Sequence, residues 1–166
     1  MLLDLSKIID CPGATASFSV SLDLSDLQFG SCCPLKTPIH ASGAVRNTAG
    51  VLMMTGDITA HLNAVCDRCA GEYEEDIELP LDVVLVTELA DEDHEDERIF
   101  PLEGNEADMD EIIRTVFILN MDTKFLCSDD CLGLCCGCGV NLNRETCRCK
   151  KEIDPRFAAL QQLLNQ

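Results

Sequence analysis

Seven of the chain's twelve cysteines fall within 23 residues, from Cys127 to Cys149, so this segment has to fold around its thiols. It reads Cys127-Ser-Asp-Asp-Cys131-Leu-Gly-Leu-Cys135-Cys136-Gly-Cys138-Gly139, then seven residues without cysteine, then Cys147-Arg-Cys149. Two thiolates a few positions apart can grip one soft divalent ion from a tight turn, and a second pair completes a tetrahedron. Gly137 and Gly139 suit that turn, because φ > 0 is cheap only at glycine. One more pair stands upstream in Cys66-Asp-Arg-Cys69. The pairs 66/69, 127/131, 135/138 and 147/149 provide eight thiols, enough for two four-coordinate zinc sites. A knuckle joined by a distal pair groups Cys135 and Cys138 with Cys147 and Cys149. Cys66 and Cys69 are then left to join Cys127 and Cys131 across about 60 residues of chain. Cys11, Cys32 and Cys33 lie outside the paired spacing and default to small buried apolar residues.

The compartment decides whether such thiols bind metal or pair as disulfides. The first residues, Met1 to Lys7, show no long apolar run and no cleavage-type site, so no export signal is expected. No stretch approaches the ~20 apolar residues of a membrane helix. A cytoplasmic protein without a membrane partner is expected, and in a reducing cytosol clustered cysteines bind metal or do redox work. The formal charge of −18 excludes a general nucleic-acid-coating role, which needs a basic surface, though a local basic contact is still possible.

Along the chain, Phe18, Val20, Leu22 and Leu24 alternate with Ser17, Ser19, Ser21 and Asp23, the pattern of a half-buried strand. Gly30 to Pro38 reads as a loop. Ile39, Ala41 and Val45 share a face opposite His40, Ser42 and Arg46, and Asn47 to Gly50 is a turn. A long alternation runs from Leu52 through Met54, Ile58, Ala60, Leu62 and Ala64 to Cys66. It resumes after Gly71 with Tyr73, Ile77, Leu79, Leu81, Val83 and Leu85. The Cys66/Cys69 pair therefore sits between two long antiparallel strands, where a knuckle can present both sulfurs outward. The first 86 residues read as an antiparallel sheet, open or curled into a partial barrel.

Glu88 to Glu111 holds twelve acidic residues and one basic residue, Arg98. It reads as a self-repelling acidic loop (88–111), and it lacks the glycine and spacing of a calcium loop, which leaves His94 solvated. Ile99 to Leu102 reads as a short returning strand. Asp108, with Glu111 three residues on, starts a helix over 109–120 whose stripe is Met109, Ile112, Ile113, Val116 and Phe117. Asp154-Pro155 opens a terminal helix with Phe157, Leu160, Leu163 and Leu164 on one side. The expected fold is α+β: an antiparallel β-sheet domain with one packed helix (1–124), then a cysteine-rich zinc module with a C-terminal helix (125–166).

Charge is distributed unevenly. Five of the twelve Lys and Arg residues (Arg144, Arg148, Lys150, Lys151 and Arg156) lie in the last 23 positions. Two tetrathiolate zinc sites would each carry −2 and draw cations with no ligand involved. A phosphate-contacting edge on an acidic body leaves the same trace. Arg144, Arg148, Lys150 and Lys151 are the candidate phosphate-contacting residues.

Cys66-Asp-Arg-Cys69 between its two strands resembles the YceD family, the large ribosomal RNA subunit accumulation proteins. So does Leu126 to Cys135 followed by Cys138-Gly-Val-Asn-Leu-Asn143. Cys147-Arg-Cys149 and Asp154-Pro-Arg-Phe157 are similar to its Gram-positive-like branch, and the likeness spans nearly the whole chain. The family pattern has proline after the third cysteine of the module, where this chain has Cys136, so Cys135 and Cys136 are both open as ligands. The resemblance implies a cytoplasmic factor needed for synthesis, processing or stability of 23S rRNA, with no established catalytic activity. Partners implied are 23S rRNA or its precursor, and an acidic body also suits a basic large-subunit ribosomal protein.

Other readings compete. A thiol–disulfide enzyme using Cys66 and Cys69 would place its nucleophile at a helix N-terminus. Here a strand follows, bringing Glu72, Glu74, Glu75 and Asp76, which raise a thiol pKa. A redox sensor that releases zinc on oxidation is a third reading. A hydrolase fits poorly, since His40, His61 and His94 have no nucleophile pattern around them. No catalytic residue is expected, and the chain reads as a non-enzyme.

Overall fold

Two 15-residue strands joined at a tight tip organise the molecule. A computed structural model describes residues 1–30, 32–87 and 98–149. In chain order the elements are β1 (Leu2–Asp4), α1 (Ser6–Ile9), β2 (Thr15–Leu22), β3 (Ile39–Thr48), β4 (Val51–Val65), β5 (Glu72–Val86), β6 (Ile99–Pro101), β7 (Glu106–Asp108) and α2 (Met109–Asn120). The main sheet has the order β2-β3-β4-β5-β6, and β1 pairs with β7 in a second, two-stranded sheet. Among the described residues no pairing joins β2 to β6, so the sheet is open.

The long hairpin is in register from Leu52↔Leu85 to Val65↔Glu72. β3 covers β4 only as far as Thr59, so the outer part of the hairpin projects beyond the sheet. One side of this projection is steadied by the 34–35 segment, where Asn63 N–H donates to the Pro34 carbonyl at 2.8 Å and Leu35 bridges Leu62. Period-2 alternation fixes which face is buried: Leu52, Met54, Ile58, Ala60, Leu62 and Ala64 all point into the core. Where β3 and β4 approach most closely, Gly43 pairs with Gly56. A Cβ on Gly56 would be driven into the Ser42 carbonyl, and one on Gly43 into that of Thr55.

α2 spans the expected 109–120 and lays all five stripe residues into the core. Its Asp108 cap accepts from Asp110 N–H at 3.0 Å rather than making a reciprocal box with Glu111. Phe29 stands edge-on to both Phe117 (6.4 Å) and Phe125 (6.2 Å), closing the core beside the cysteine-rich segment.

Several expectations need correction. The sheet is mixed, not wholly antiparallel, because β6 runs parallel to β5 over Val84–Val86. Within the stretch read as acidic loop, the returning strand expected from Ile99 is present as β6, and β7 is unexpected; Leu102, Ala107 and Met109 find burial between its charges. Asn47 is more than a turn residue. It is buried, and its amide donates to the Ile8 and Ile9 carbonyls, each at 2.7 Å, anchoring α1 to the sheet. Cys11 and Cys33 are exposed and Cys32 is half-buried, because all three lie in surface turns rather than on a strand face. His94, Lys150, Lys151 and the expected terminal helix lie outside the described residues.

Candidate metal centres

The tip of the β4–β5 hairpin is a knuckle. Cys66 N–H donates to the Gly71 carbonyl at 2.8 Å, and Ala70 N–H to the Cys66 carbonyl at 2.9 Å. Ala70 takes φ of 52° to close the turn, which brings Cys66 and Cys69 to one side. The knuckle grips the incoming module through Asp67. Its N–H donates to the Phe125 carbonyl, and its carboxylate accepts from the Phe125 N–H, both at 2.8 Å. Arg68 reaches across to donate to the Asp129 carbonyl at 2.9 Å and the Cys131 carbonyl at 3.2 Å. In return the Arg68 carbonyl accepts from Leu134 N–H at 3.0 Å. Gly133 lies against that carbonyl with φ of +75°, where a side chain would collide.

These contacts assemble Cys66, Cys69, Cys127 and Cys131, whose sulfurs all lie within 4.8 Å of one another. Cys66–Cys131 measures 3.8 Å and Cys69–Cys127 3.7 Å. A tetrahedron with zinc–sulfur bonds of about 2.3 Å has edges of about 3.8 Å, so these thiols fit zinc or a similar soft tetrahedral ion. Cys66, Cys69 and Cys131 are buried, and only Cys127 faces solvent. Asn143 completes the surroundings: its amide donates to Cys131 Sγ at 3.2 Å, and its oxygen accepts from Leu132 N–H at 2.8 Å.

A second cluster gathers Cys135, Cys138, Cys147 and Cys149, again within 4.8 Å. Cys135 N–H donates to the Val140 carbonyl at 2.8 Å and Gly139 N–H to the Cys135 carbonyl at 2.9 Å, which folds the Gly137–Gly139 turn beneath the sulfurs. Cys138–Cys147 is 3.7 Å and Cys135–Cys147 is 3.2 Å. This centre is open: Cys138 and Cys149 are exposed and the other two half-buried. Cys136 points away and is exposed, so of the two adjacent cysteines it is Cys135 that joins the cluster. All twelve cysteines are free thiols.

Each cluster divides its protons unequally. Burial opposes ionisation of Cys66, but N–H donors from Cys127, Cys69 and Arg68 bring it down to about 6. Cys127 is pushed up to about 12 by the neighbouring sulfurs of Cys131, Cys66 and Cys69. In the second cluster the Cys138 and Gly137 N–H groups lower Cys135 to about 6, while Cys138 and Cys147 push Cys149 up to about 12. Protons shared among crowded sulfurs are what a bound dication displaces.

The remaining candidates separate cleanly. Arg144 and Arg148 are exposed and line one open groove of about 560 Å³ with Cys138, Val140, Glu145 and Thr146. Neither guanidinium has an ion pair among the described residues. Arg68, by contrast, is committed to backbone carbonyls, and Arg114 to Asp26 at 2.7 Å. The Cys66–Cys69 pair follows a strand, is 1% and 6% exposed, and belongs to a four-thiol cluster, which does not favour a thiol–disulfide catalyst. Sequence reasoning missed Asn143, Asp67 and Asn141, whose amide donates to the Cys69 carbonyl at 3.5 Å, as supports of the first centre. Their signal was position alone, inside or between the cysteine pairs.

Comparison with known proteins shows the family. The family of the large ribosomal RNA subunit accumulation protein YceD matches residues 54–164. The chain belongs to the YceD family. It is 26% identical to the chloroplastic YceD homolog 1 of Arabidopsis thaliana, a match covering 89% of this chain and 53% of that protein. The corresponding maize protein is 25% identical over 69% of this chain and 50% of its own length. An uncharacterised protein of Mycobacterium tuberculosis is 26% identical, covering 99% of this chain and 81% of its own length. This YceD-family chain thus spans about half the length of its chloroplastic relatives. No solved structure matches it. Among the described residues no helix is long and apolar enough to cross a membrane.

Proposed function

We propose that this chain supports accumulation of the large ribosomal subunit as a non-catalytic, zinc-stabilised factor that binds 23S rRNA or its precursor in the cytoplasm. Family membership supplies the process. The contact is carried by one observation: Arg144 and Arg148, neither of which makes an ion pair among the described residues, line a single groove beside the open thiol cluster. If cations were there only to offset thiolate charge, they would be expected to turn towards sulfur, as Asn143 does. Facing a groove with Thr146 between them, these two suit phosphate oxygens. Lys150 and Lys151 follow directly in sequence and extend the same basic stretch. In this reading the zinc ions hold the loop that carries the arginines.

Reversing Arg144, Arg148, Lys150 and Lys151 to glutamate tests this reading. Affinity for 23S RNA should fall, and the log–log salt dependence should flatten by up to ~0.7–0.9 per lost phosphate contact. Zinc content should stay the same, and cells relying on the variant should under-accumulate large subunits. Unchanged RNA binding together with normal large-subunit levels would reject the assignment.

A further inference from the structure

The outer edge of β5 has no ladder partner over most of its length among the described residues. β6 reaches only Val84 to Val86. Pro80 has no N–H to offer and bounds the free stretch on one side, while the knuckle bounds it on the other, leaving Glu72 to Leu79. Glu72, Glu74, Asp76 and Glu78 project from one face of this stretch, all exposed. Tyr73, Ile77 and Leu79 lie on the other, half-buried against the core, with exposed Glu75 among them. His61 meets the acidic row, with Nδ1 2.7 Å from Asp76 and Nε2 3.9 Å from Glu74, and Lys36 lines a pocket with Glu72 and Glu74 without making an ion pair among the described residues. No cation there comes within ion-pair reach of Glu72 or Glu78.

An open edge invites another strand, and its side chains decide which. A second copy of this chain would bring its own four carboxylates alongside, and RNA would bring phosphates; both are repelled. We propose that this edge receives an extended basic segment of a partner protein, added as a further strand of the sheet. In a strand the carboxylates recur about every 6.8 Å. A partner with lysine or arginine at every second position would set each basic side chain directly across from an acidic one, with Cβ atoms about 5 Å apart. Its alternate positions would fall beside Tyr73, Ile77 and Leu79 and would be apolar. The ladder supplies affinity and the acidic row supplies register and selectivity. This surface adjoins the Arg144–Arg148 groove only at Glu72, which lines a pocket with Arg144, and the inference stands whether or not that groove binds RNA.

The probe is a labelled eight-residue peptide of alternating lysine and valine, titrated onto the zinc-loaded full chain. A second peptide has the same sequence but is N-methylated at every other amide, which removes ladder donors and keeps the charge. Binding of the first should slow amide exchange within Glu72–Leu79, and the methylated peptide should bind at least tenfold more weakly. The Glu74→Lys/Asp76→Lys/Glu78→Lys protein should also lose at least tenfold, whereas Arg148→Glu, which lies away from β5, should bind the peptide as before. Equal binding of the two peptides would reduce the effect to charge alone and overturn the proposal. So would protection outside β5, protection of this edge by 23S RNA, or self-association through it. The comparison of the two peptides uses the unaltered chain, so it decides even where the triple variant fails to fold.

Discussion

Removing metal should unfold the cysteine-rich module and leave the sheet standing. Within 127–149 only Cys131 and Gly133 are buried, and Leu132 and Leu134 are 66% and 43% exposed. Leu126, Val140 and Leu142 are half-buried, which is worth about 3 kcal/mol in total. Ordering 23 residues costs roughly 1 kcal/mol of backbone entropy each, or more, so apolar burial falls short by nearly tenfold. Metal–thiolate bonding has to supply the rest. The reporters are Asp67, Leu134, Cys135 and Leu142, whose N–H groups donate to Phe125, Arg68, Val140 and Gly133. Each of those bonds exists only while the module is folded. With chelator present, hydrogen exchange at these four amides should speed up at least 100-fold, about 2.7 kcal/mol of local stability. Amides paired between β3 and β4, from His40↔Thr59 to Thr48↔Val51, should change by less than about threefold, since their burial does not involve the clusters. Persistent protection at the four reporters, or equal loss in β3 and β4, would refute the reasoning.

Further outcomes follow from single side chains. Cys66→Ser should lower bound zinc from two to one per chain by metal analysis, and two would remove the first centre; Cys136→Ser should leave two, and one would move the ligand assignment from Cys135 to Cys136. Asn143→Ala removes the N–H donor to Cys131 and should weaken one of the two zinc sites by 10–100-fold in a chelator competition. Equal affinity would make Asn143 a loop residue only. Gly56→Ala forces a methyl against the Ser42 backbone and should cost about 1–3 kcal/mol, read as a lower urea midpoint, with zinc stoichiometry preserved. An unmoved midpoint would show that β3 and β4 can separate there without cost.

Period-2 patterning made the hairpin legible, because Leu52 to Ala64 and Tyr73 to Leu85 alternate over runs too long to mistake for helix. The same alternation placed Cys66 and Cys69 at its tip. α2 was legible because its stripe and its cap agreed. What escaped was non-local. β6 is three residues long and lies parallel to β5, and nothing in Ile99-Phe-Pro101 specifies direction. β1 and β7 pair across most of the chain, Leu3 with Ala107, with too few residues to show a pattern. Asn47 and Asn143 look like turn asparagines in sequence, and only the fold shows which carbonyls and which sulfur they face. Of two adjacent cysteines, the ligand is selected by how the Cys135–Val140 backbone bond turns the chain, which spacing alone does not encode.

The two clusters divide the work of holding the basic edge. Asn143 donates to Cys131 of the buried centre and also to the Asn141 side chain at 3.1 Å, and the Asn141 carbonyl accepts from Arg144 N–H at 3.1 Å. Arg144 is therefore fixed from the side of the hairpin tip, through Asn141 and Asn143. Arg148 lies between Cys147 and Cys149 and is fixed by the open centre. If zinc fills both clusters as proposed, the groove between the two arginines should keep its width only while both are loaded, because each lies on one wall. Two sites with four thiols each are then not redundant copies. The buried one ties the module to the hairpin through Cys66 and Cys69, and the exposed one shapes the surface that this tie positions. Emptying either centre should loosen a different arginine, so loss of RNA contact is expected from damage at Cys66, far from the groove in sequence, as well as from damage at Cys138 on its wall.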